Sequence, residues 1–240
     1  MDESQSAREA RQPSLIVDAR PFDRAGELLA AALTTVLAEK EHARLAIAGG
    51  SALEAVCQAR LRLVGAWRRI HLTWVDERCV PVADEGSNRG AAARRGLLAV
   101  GDGREAGSGP GLVLPLYKDG ETPEDALRRV RLGWKADFAE GLDVSLLGMG
   151  PDGHVASLFP SSPSRPTDAW ATHVADSPKP PSDRITLTRS ALATARHVIL
   201  VAAGEAKRDA IRRLLSGDPE LPAQGLEGMV IVTDVELGRS

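Results

Sequence analysis

The sequence predicts an α/β protein: a mainly parallel, Rossmann-like open sheet with helices on both faces. Two observations predict it. Short apolar runs of strand length alternate with segments of helical pattern, and such alternation builds β-α units around a sheet covered on both sides. Glycine-rich polar motifs follow several of those runs, at the carboxyl ends of the strands, where open α/β sheets place their ligands.

The elements follow in order. Residues 15–17 form a first strand, and 22–41, rich in Ala and Leu, a helix. Residues 45–48 are a strand, followed by a helix from Ser51 with Leu53, Val56, Cys57 and Leu61 on one face. The run 70–75 alternates and stops at Asp76. Thr122-Pro123-Glu124-Asp125 starts a helix reaching about residue 140: threonine caps, proline fits the first helical position, and acids complement the dipole. Residues 143–147, 198–201 and 229–232 are buried strands, and 184–188 is strand-like. Two segments interrupt the pattern. Residues 101–111 contain five glycines and read as flexible, while 161–183 carries Pro163, Pro166, Pro178, Pro180 and Pro181 and reads as a long structured loop beside the site. The strand pattern resumes after each, so residues 14–240 read as one domain behind a flexible tail at 1–13.

Composition sets bounds. In 240 residues, 43% hydrophobic and 26% charged side chains suit a globular protein with a substantial core, and 3% aromatics leave that core to Leu, Val, Ile and Ala. A net charge of −3 argues against a protein built to coat nucleic acid or an anionic membrane, while leaving room for a local basic pocket. Cys57 and Cys79 have no zinc-site spacing and read as free thiols; Arg78 could lower the pKa of Cys79. No apolar run spans a bilayer and the first residues lack a signal-peptide core, so the expected location is the cytoplasm.

Gly148-Met149-Gly150-Pro151-Asp152-Gly153-His154 is the most informative run, setting a carboxylate and an imidazole two residues apart in a glycine-dense loop at a strand end. Gly49-Gly50-Ser51 leads into a helix N-terminus suited to an anion, although Ser51 and Glu54 also have capping-box spacing. Asp76-Glu77-Arg78 offers a guanidinium to an anion or pairs it with its own acids. Ser87-Asn88 could cap the next helix or donate to sugar hydroxyls. Arg184 is another possible anion contact. Lys207, in the first turn of a helix to about residue 215, opposes the helix dipole unless an anion binds there. His42, His71, His173 and His197 have no polar constellation and read as structural or surface residues.

This series, with Ser157-Leu158-Phe159-Pro160 closing the histidine motif, resembles the 6-phosphogluconolactonase family within the glucosamine-6-phosphate isomerase/deaminase-like fold. The match covers most of the chain in the expected order. The resemblance implies hydrolysis of 6-phospho-D-glucono-1,5-lactone to 6-phosphogluconate in the pentose phosphate pathway. It implies no metal and no organic cofactor, and as partner only the small phosphosugar lactone; a monomer or weak dimer is expected. His154 would be the base that activates water, with Asp152 orienting it or holding a sugar hydroxyl. Gly49, Gly50, Ser51, Asp76, Arg78, Ser87, Asn88, Gly150, Gly153, Arg184 and Lys207 would bind substrate, chiefly its phosphate. One departure is Ala52-Leu53, where the family has Thr-Pro after Gly-Gly-Ser.

Two rivals share these features. An amino-sugar-phosphate isomerase or deaminase would use Asp76 to move a proton, but such enzymes carry an Asn-Glu pair where this chain has Ser157-Leu158-Phe159-Pro160. A non-catalytic sugar-phosphate sensor would keep the anion site, lose the base and normally carry a DNA-binding segment.

Overall fold

The computed structural model describes residues 13–98, 109–160 and 169–237. Ten strands and six helices lie along them: β1 (Ser14–Val17), α1 (Pro21–Glu39), β2 (Ala43–Ile47), α2 (Leu53–Arg62), β3 (Ile70–Trp74), β4 (Asp76–Arg78), α3 (Asn88–Arg94), β5 (Leu112–Leu114), α4 (Pro123–Asp137), β6 (Val144–Gly148), β7 (Ala171–Val174), β8 (Arg184–Leu187), α5 (Arg189–Leu192), β9 (His197–Val201), α6 (Arg208–Leu215) and β10 (Met229–Thr233). Seven strands make one sheet in the order β1-β10-β9-β6-β2-β3-β5, every pair parallel. A second sheet, β4-β8-β7, is antiparallel.

The central strands are buried on both faces, since residues 144–147 of β6 and 198–201 of β9 are all shielded regardless of the side to which they point. Leu45, Ile47, Leu72, Leu146 and Leu200 are fully buried, each worth about 2 kcal/mol of hydrophobic stabilisation. Trp134 of α4 stacks on Phe138 and Trp170 at centroid separations of 5.1 and 5.4 Å, gathering three of the chain's few aromatic rings. Thr122 caps α4 by accepting from the Asp125 N–H at 3.2 Å, with Pro123 in the first turn, as its sequence predicts. At the opposite end of the sheet from the glycine-rich loops, buried Asp143 accepts from Lys40 Nζ at 2.6 Å and the Arg44 N–H at 2.8 Å.

The strand order fixes where a ligand can sit. From β2 the chain moves through β3 and β5 to one edge; from β6 it moves through β9 and β10 towards the other. The order therefore reverses between the neighbours β2 and β6, paired as Leu45↔Val144 and Ile47↔Leu146. Open sheets form their crevice at such a switch point, beyond the carboxyl ends of the strands. Those two ends carry Gly49-Gly50-Ser51 and the histidine loop.

Several expectations change. Leu61 is 70% exposed, and the buried face of α2 is Leu53, Ala55, Val56 and Ala59. Asp76 does not end a strand but begins β4, which leaves the main sheet to pair with β8. The proline-rich segment 161–183 contains β7; its residues 161–168, like 101–108 of the glycine-rich segment, lie outside the described residues. The flexible-tail reading of 1–13 falls outside them too, except for Pro13. Residues 112–114 form a strand, β5, too short to show a pattern in the sequence. Among the described residues, no helix is long and apolar enough to cross a membrane.

Candidate active site

The histidine loop is a tight hairpin of backbone bonds after β6. The Gly150 N–H donates to the His154 carbonyl at 2.8 Å and the Gly153 N–H to the Gly150 carbonyl at 3.0 Å. Both glycines are needed. A Cβ on Gly150 would lie 2.1 Å from His154 Nδ1 and 2.4 Å from Asp152 Oδ1, so the two functional side chains lie directly across it. Gly153 has φ +90°, a left-handed conformation that side chains other than glycine's resist. Because both N–H groups are taken inside the loop, neither glycine offers a substrate contact through its amide; their role is to let the loop close.

That closure sets Asp152 Oδ1 2.6 Å from His154 Nδ1. A carboxylate only accepts, so Nδ1 carries the proton and the lone pair is on Nε2. Nε2 makes no hydrogen bond among the described residues. The ring is 15% exposed and leans on Phe159, 4.9 Å between centroids and tilted by 40°. Burial pushes the His154 pKa below its ordinary value, and the bond and charge of Asp152 recover only part of that loss. The imidazole is therefore neutral at neutral pH and fit to accept a proton. On Asp152 burial acts upward, but the bond and attraction to His154 outweigh it and hold the carboxyl ionised.

Beneath the loop is a saturated polar layer. Asp76, 6% exposed, accepts from Ser157 Oγ at 2.7 Å and Asn88 Nδ2 at 3.3 Å, with Arg184 Nη1 3.7 Å from its Oδ2. Glu77 points to the other side of β4 and accepts from the N–H groups of Asn88 and Arg89, both at 2.7 Å, closing the start of α3. Ser87 Oγ caps α3 through the Gly90 N–H at 2.9 Å. Asn88 also donates to the Asp76 carbonyl at 2.8 Å, and a Cβ on Gly49 would lie 1.9 Å from Asn88 Oδ1. Arg184, 3% exposed, donates to the carbonyls of Pro181 and Lys179 at 3.0 and 2.7 Å and to Ser157 Oγ at 3.3 Å. Asp76, Ser87, Asn88 and Arg184, expected at the substrate, thus also brace this layer through hydrogen bonds within the protein, and Gly49 is the floor on which Asn88 rests.

Other expected residues stay open. Ser51 is exposed and makes no capping bond; Gly50, at φ +63°, turns the chain into a short 3-10 helix (Gly50–Ala52) before α2. The capping-box alternative is not realised. Arg78 donates Nη1 to the Gly86 carbonyl at 2.7 Å and its N–H to Glu77 Oε1 at 2.8 Å; among the described residues its guanidinium pairs with neither adjacent acid and keeps a buried Nε without a partner. Lys207 ends a 3-10 turn (Glu205–Lys207) ahead of α6, after Gly204 at φ +91°. Its ammonium has no hydrogen bond or ion pair among the described residues; burial and then the neighbouring Lys179 depress its pKa, while Asp152 opposes them.

Lys179 was not anticipated. The proline cluster around it was visible, but only the pairing of β8 with β4 brings its loop beside the histidine. Cys79 departs from expectation too: burial, with Asp183 and Glu77 behind it, pushes its thiol up to about 12, so Arg78 does not activate it. His173 does have a polar partner, Asp183 Oδ1 at 2.9 Å from Nε2. Among the described residues no group of three or more His, Cys, Asp or Glu side chains could hold a metal ion.

Comparison with known proteins places the chain in a family. A family model described as glucosamine-6-phosphate isomerases/6-phosphogluconolactonase matches residues 19–232. A 6-phosphogluconolactonase of Mycobacterium leprae is 36% identical, the match covering 85% of this chain and 86% of the relative. The crystal structure of a 6-phosphogluconolactonase from Thermotoga maritima superposes with a TM-score of 0.72 at 26% identity, over 92% of this chain and 98% of that one. A monomeric glucosamine-6-phosphate deaminase gives a TM-score of 0.73 at 18% identity, over 94% and 98% of the two chains, a likeness of fold alone.

Proposed function

This chain belongs to the glucosamine-6-phosphate isomerase/6-phosphogluconolactonase family, and we propose that within it the chain acts as the lactonase. It hydrolyses 6-phospho-D-glucono-1,5-lactone to 6-phosphogluconate, the lactone-opening step of the pentose phosphate pathway. The carrying observation is the Asp152–His154 pair with a free Nε2. A lactone is an activated ester, so one base and one water suffice.

In this reading His154 Nε2 takes a proton from water as the water oxygen bonds to C1. The tetrahedral intermediate then expels the ring oxygen, breaking its bond to C1. The imidazolium returns the proton to that oxygen, leaving an acyclic acid and a neutral histidine. Asp152 fixes the tautomer and stabilises the imidazolium while it exists. The phosphate sits with the Arg78 guanidinium, Lys207 and the amides of the Gly50–Ala52 turn, and its binding positions C1 over the base.

The deaminase reading needs a free acid at C1–C2. Asp76 is buried and bonded at both oxygens, and Ser157 stands against it. The free thiols Cys57 and Cys79 suit the cytoplasm, and the large exposed hydrophobics (Val17, Leu61, Val64, Leu132) suit a monomer or weak dimer.

The test is hydrolysis of freshly generated lactone, coupled to 6-phosphogluconate dehydrogenase and corrected for the spontaneous rate, with glucosamine 6-phosphate assayed alongside for ammonia. Acceleration on the lactone alone is expected. Ammonia release would make the chain a deaminase, and phosphosugar binding with neither activity would make it a sensor.

A further inference from the structure

The loop 177–183 is held to the histidine loop by one buried side chain. Arg184 Nη2 donates to the Lys179 carbonyl at 2.7 Å and Nε to the Pro181 carbonyl at 3.0 Å. Its Nη1 reaches Ser157 Oγ at 3.3 Å, in the segment that follows His154. Ser177 closes the loop on itself, its N–H donating to the Ser182 carbonyl at 3.2 Å and its Oγ to the Lys179 carbonyl at 3.1 Å. The backbone of Lys179 is therefore fixed relative to His154. Its exposed ammonium has no hydrogen bond or ion pair among the described residues.

That ammonium is felt by the site. Its charge contributes to lowering the pKa values of His154, Asp152 and Lys207, behind burial or the dyad's own bond in each case. Lys179 and Lys207 repel each other across a site whose accessible carboxylate, Asp152, already serves the histidine. Two unpaired ammoniums held near one another are resolved by a dianion.

We propose that Lys179 is a substrate-binding residue: with Lys207 it grips the lactone's phosphate, and Arg184 positions it by clamping its loop to the histidine loop. The proposal rests on the lactonase reading. Two cations favour a phosphate dianion over the neutral hydroxymethyl of an unphosphorylated lactone, so Lys179 sets specificity as well as affinity.

The test compares 6-phosphogluconolactone with unphosphorylated gluconolactone. Lys179→Ala is expected to raise the ratio of KM for the phosphorylated substrate to KM for the other about tenfold or more, as loss of a charge-assisted contact requires. Lys179→Arg should restore most of the difference. Calorimetric affinity for 6-phosphogluconate should fall by a similar factor, reading the contact without turnover. Arg184→Lys keeps a charge beside Asp76 but not the fork to two carbonyls, and should give the same selective rise in KM. Equal losses on both lactones, or unchanged product affinity in Lys179→Ala, would overturn the role of Lys179. A fall in kcat alone in Arg184→Lys would sever it from Lys179. A wild-type protein that binds 6-phosphogluconate through Lys179 yet does not hydrolyse the lactone would sink the lactonase reading and leave the contact standing.

Discussion

The histidine loop and the polar layer beneath it use the same residue types, and they differ in what each leaves free. Asp152 has one partner and is 45% exposed; Asp76 has three and is 6% exposed. Ser51 bonds nothing as a cap, whereas Ser87 caps α3 and reaches Glu77. Arg78 keeps an unpartnered Nε while Arg184 engages all three nitrogens. Residue type does not decide which of these groups is already paired inside the protein; the number of unfilled hydrogen-bonding positions does.

The largest effect that would break this contrast is at His154. His154→Ala should lower kcat about 10³-fold, within the usual range for a general base, and leave the thermal midpoint within a degree or two. Near-native turnover would remove the loop from the chemistry.

Asp76→Ala should do the reverse. It leaves Arg184 buried without its carboxylate and strips acceptors from Ser157 and Asn88, costing about 3 kcal/mol of stability in urea unfolding. A variant as stable as wild type but inactive would make Asp76 a substrate contact and erase the distinction.

The contrast also explains what the sequence could not reveal. The parallel sheet was legible because apolar runs and helical segments alternate over the whole chain, and the histidine loop because Asp152 and His154 both lie in it, but not whether Asp152 orients the ring or holds a sugar hydroxyl. Which charged residues face the ligand was not legible. Asp76, Ser87 and Arg184 carry suitable groups in suitable motifs, yet they meet only because β4 leaves the main sheet to pair with β8, at Asp76↔Thr186 and Arg78↔Arg184. That pairing joins segments about a hundred residues apart, and a three-residue strand gives no periodicity to announce it. Lys179 was missed for the same reason.

Asp152→Asn sharpens the comparison at intermediate size. The amide cannot select the Nδ1–H tautomer as a carboxylate does, so kcat should fall by about tenfold to a hundredfold, less than for a fully buried triad acid because Asp152 is half exposed. The pH profile gives the sign. Asp152 raises the His154 pKa against the dominant effect of burial, so its loss leaves burial and the Lys179 charge opposed only by the lesser charge effect of Asp76. The acid limb of kcat/KM should move to lower pH. A move to higher pH would mean that Asp152 is not the partner on Nδ1.

The smallest effect is the most direct test of saturation, because it compares two identical side chains. Ser87→Ala removes a helix cap and a donor to Glu77, and should cost about 1 kcal/mol or slightly more in stability with little change in KM. Ser51→Ala removes an exposed hydroxyl that caps nothing, so stability should hold within about 0.5 kcal/mol. Its effect should fall instead on KM for the phosphorylated lactone, by a few-fold at most, since the amides of the turn remain. If Ser51→Ala cost as much stability as Ser87→Ala, the turn at Gly50 would form a capping box in solution. The amides of that turn would then be held by the protein itself, as the carboxylate of Asp76 is.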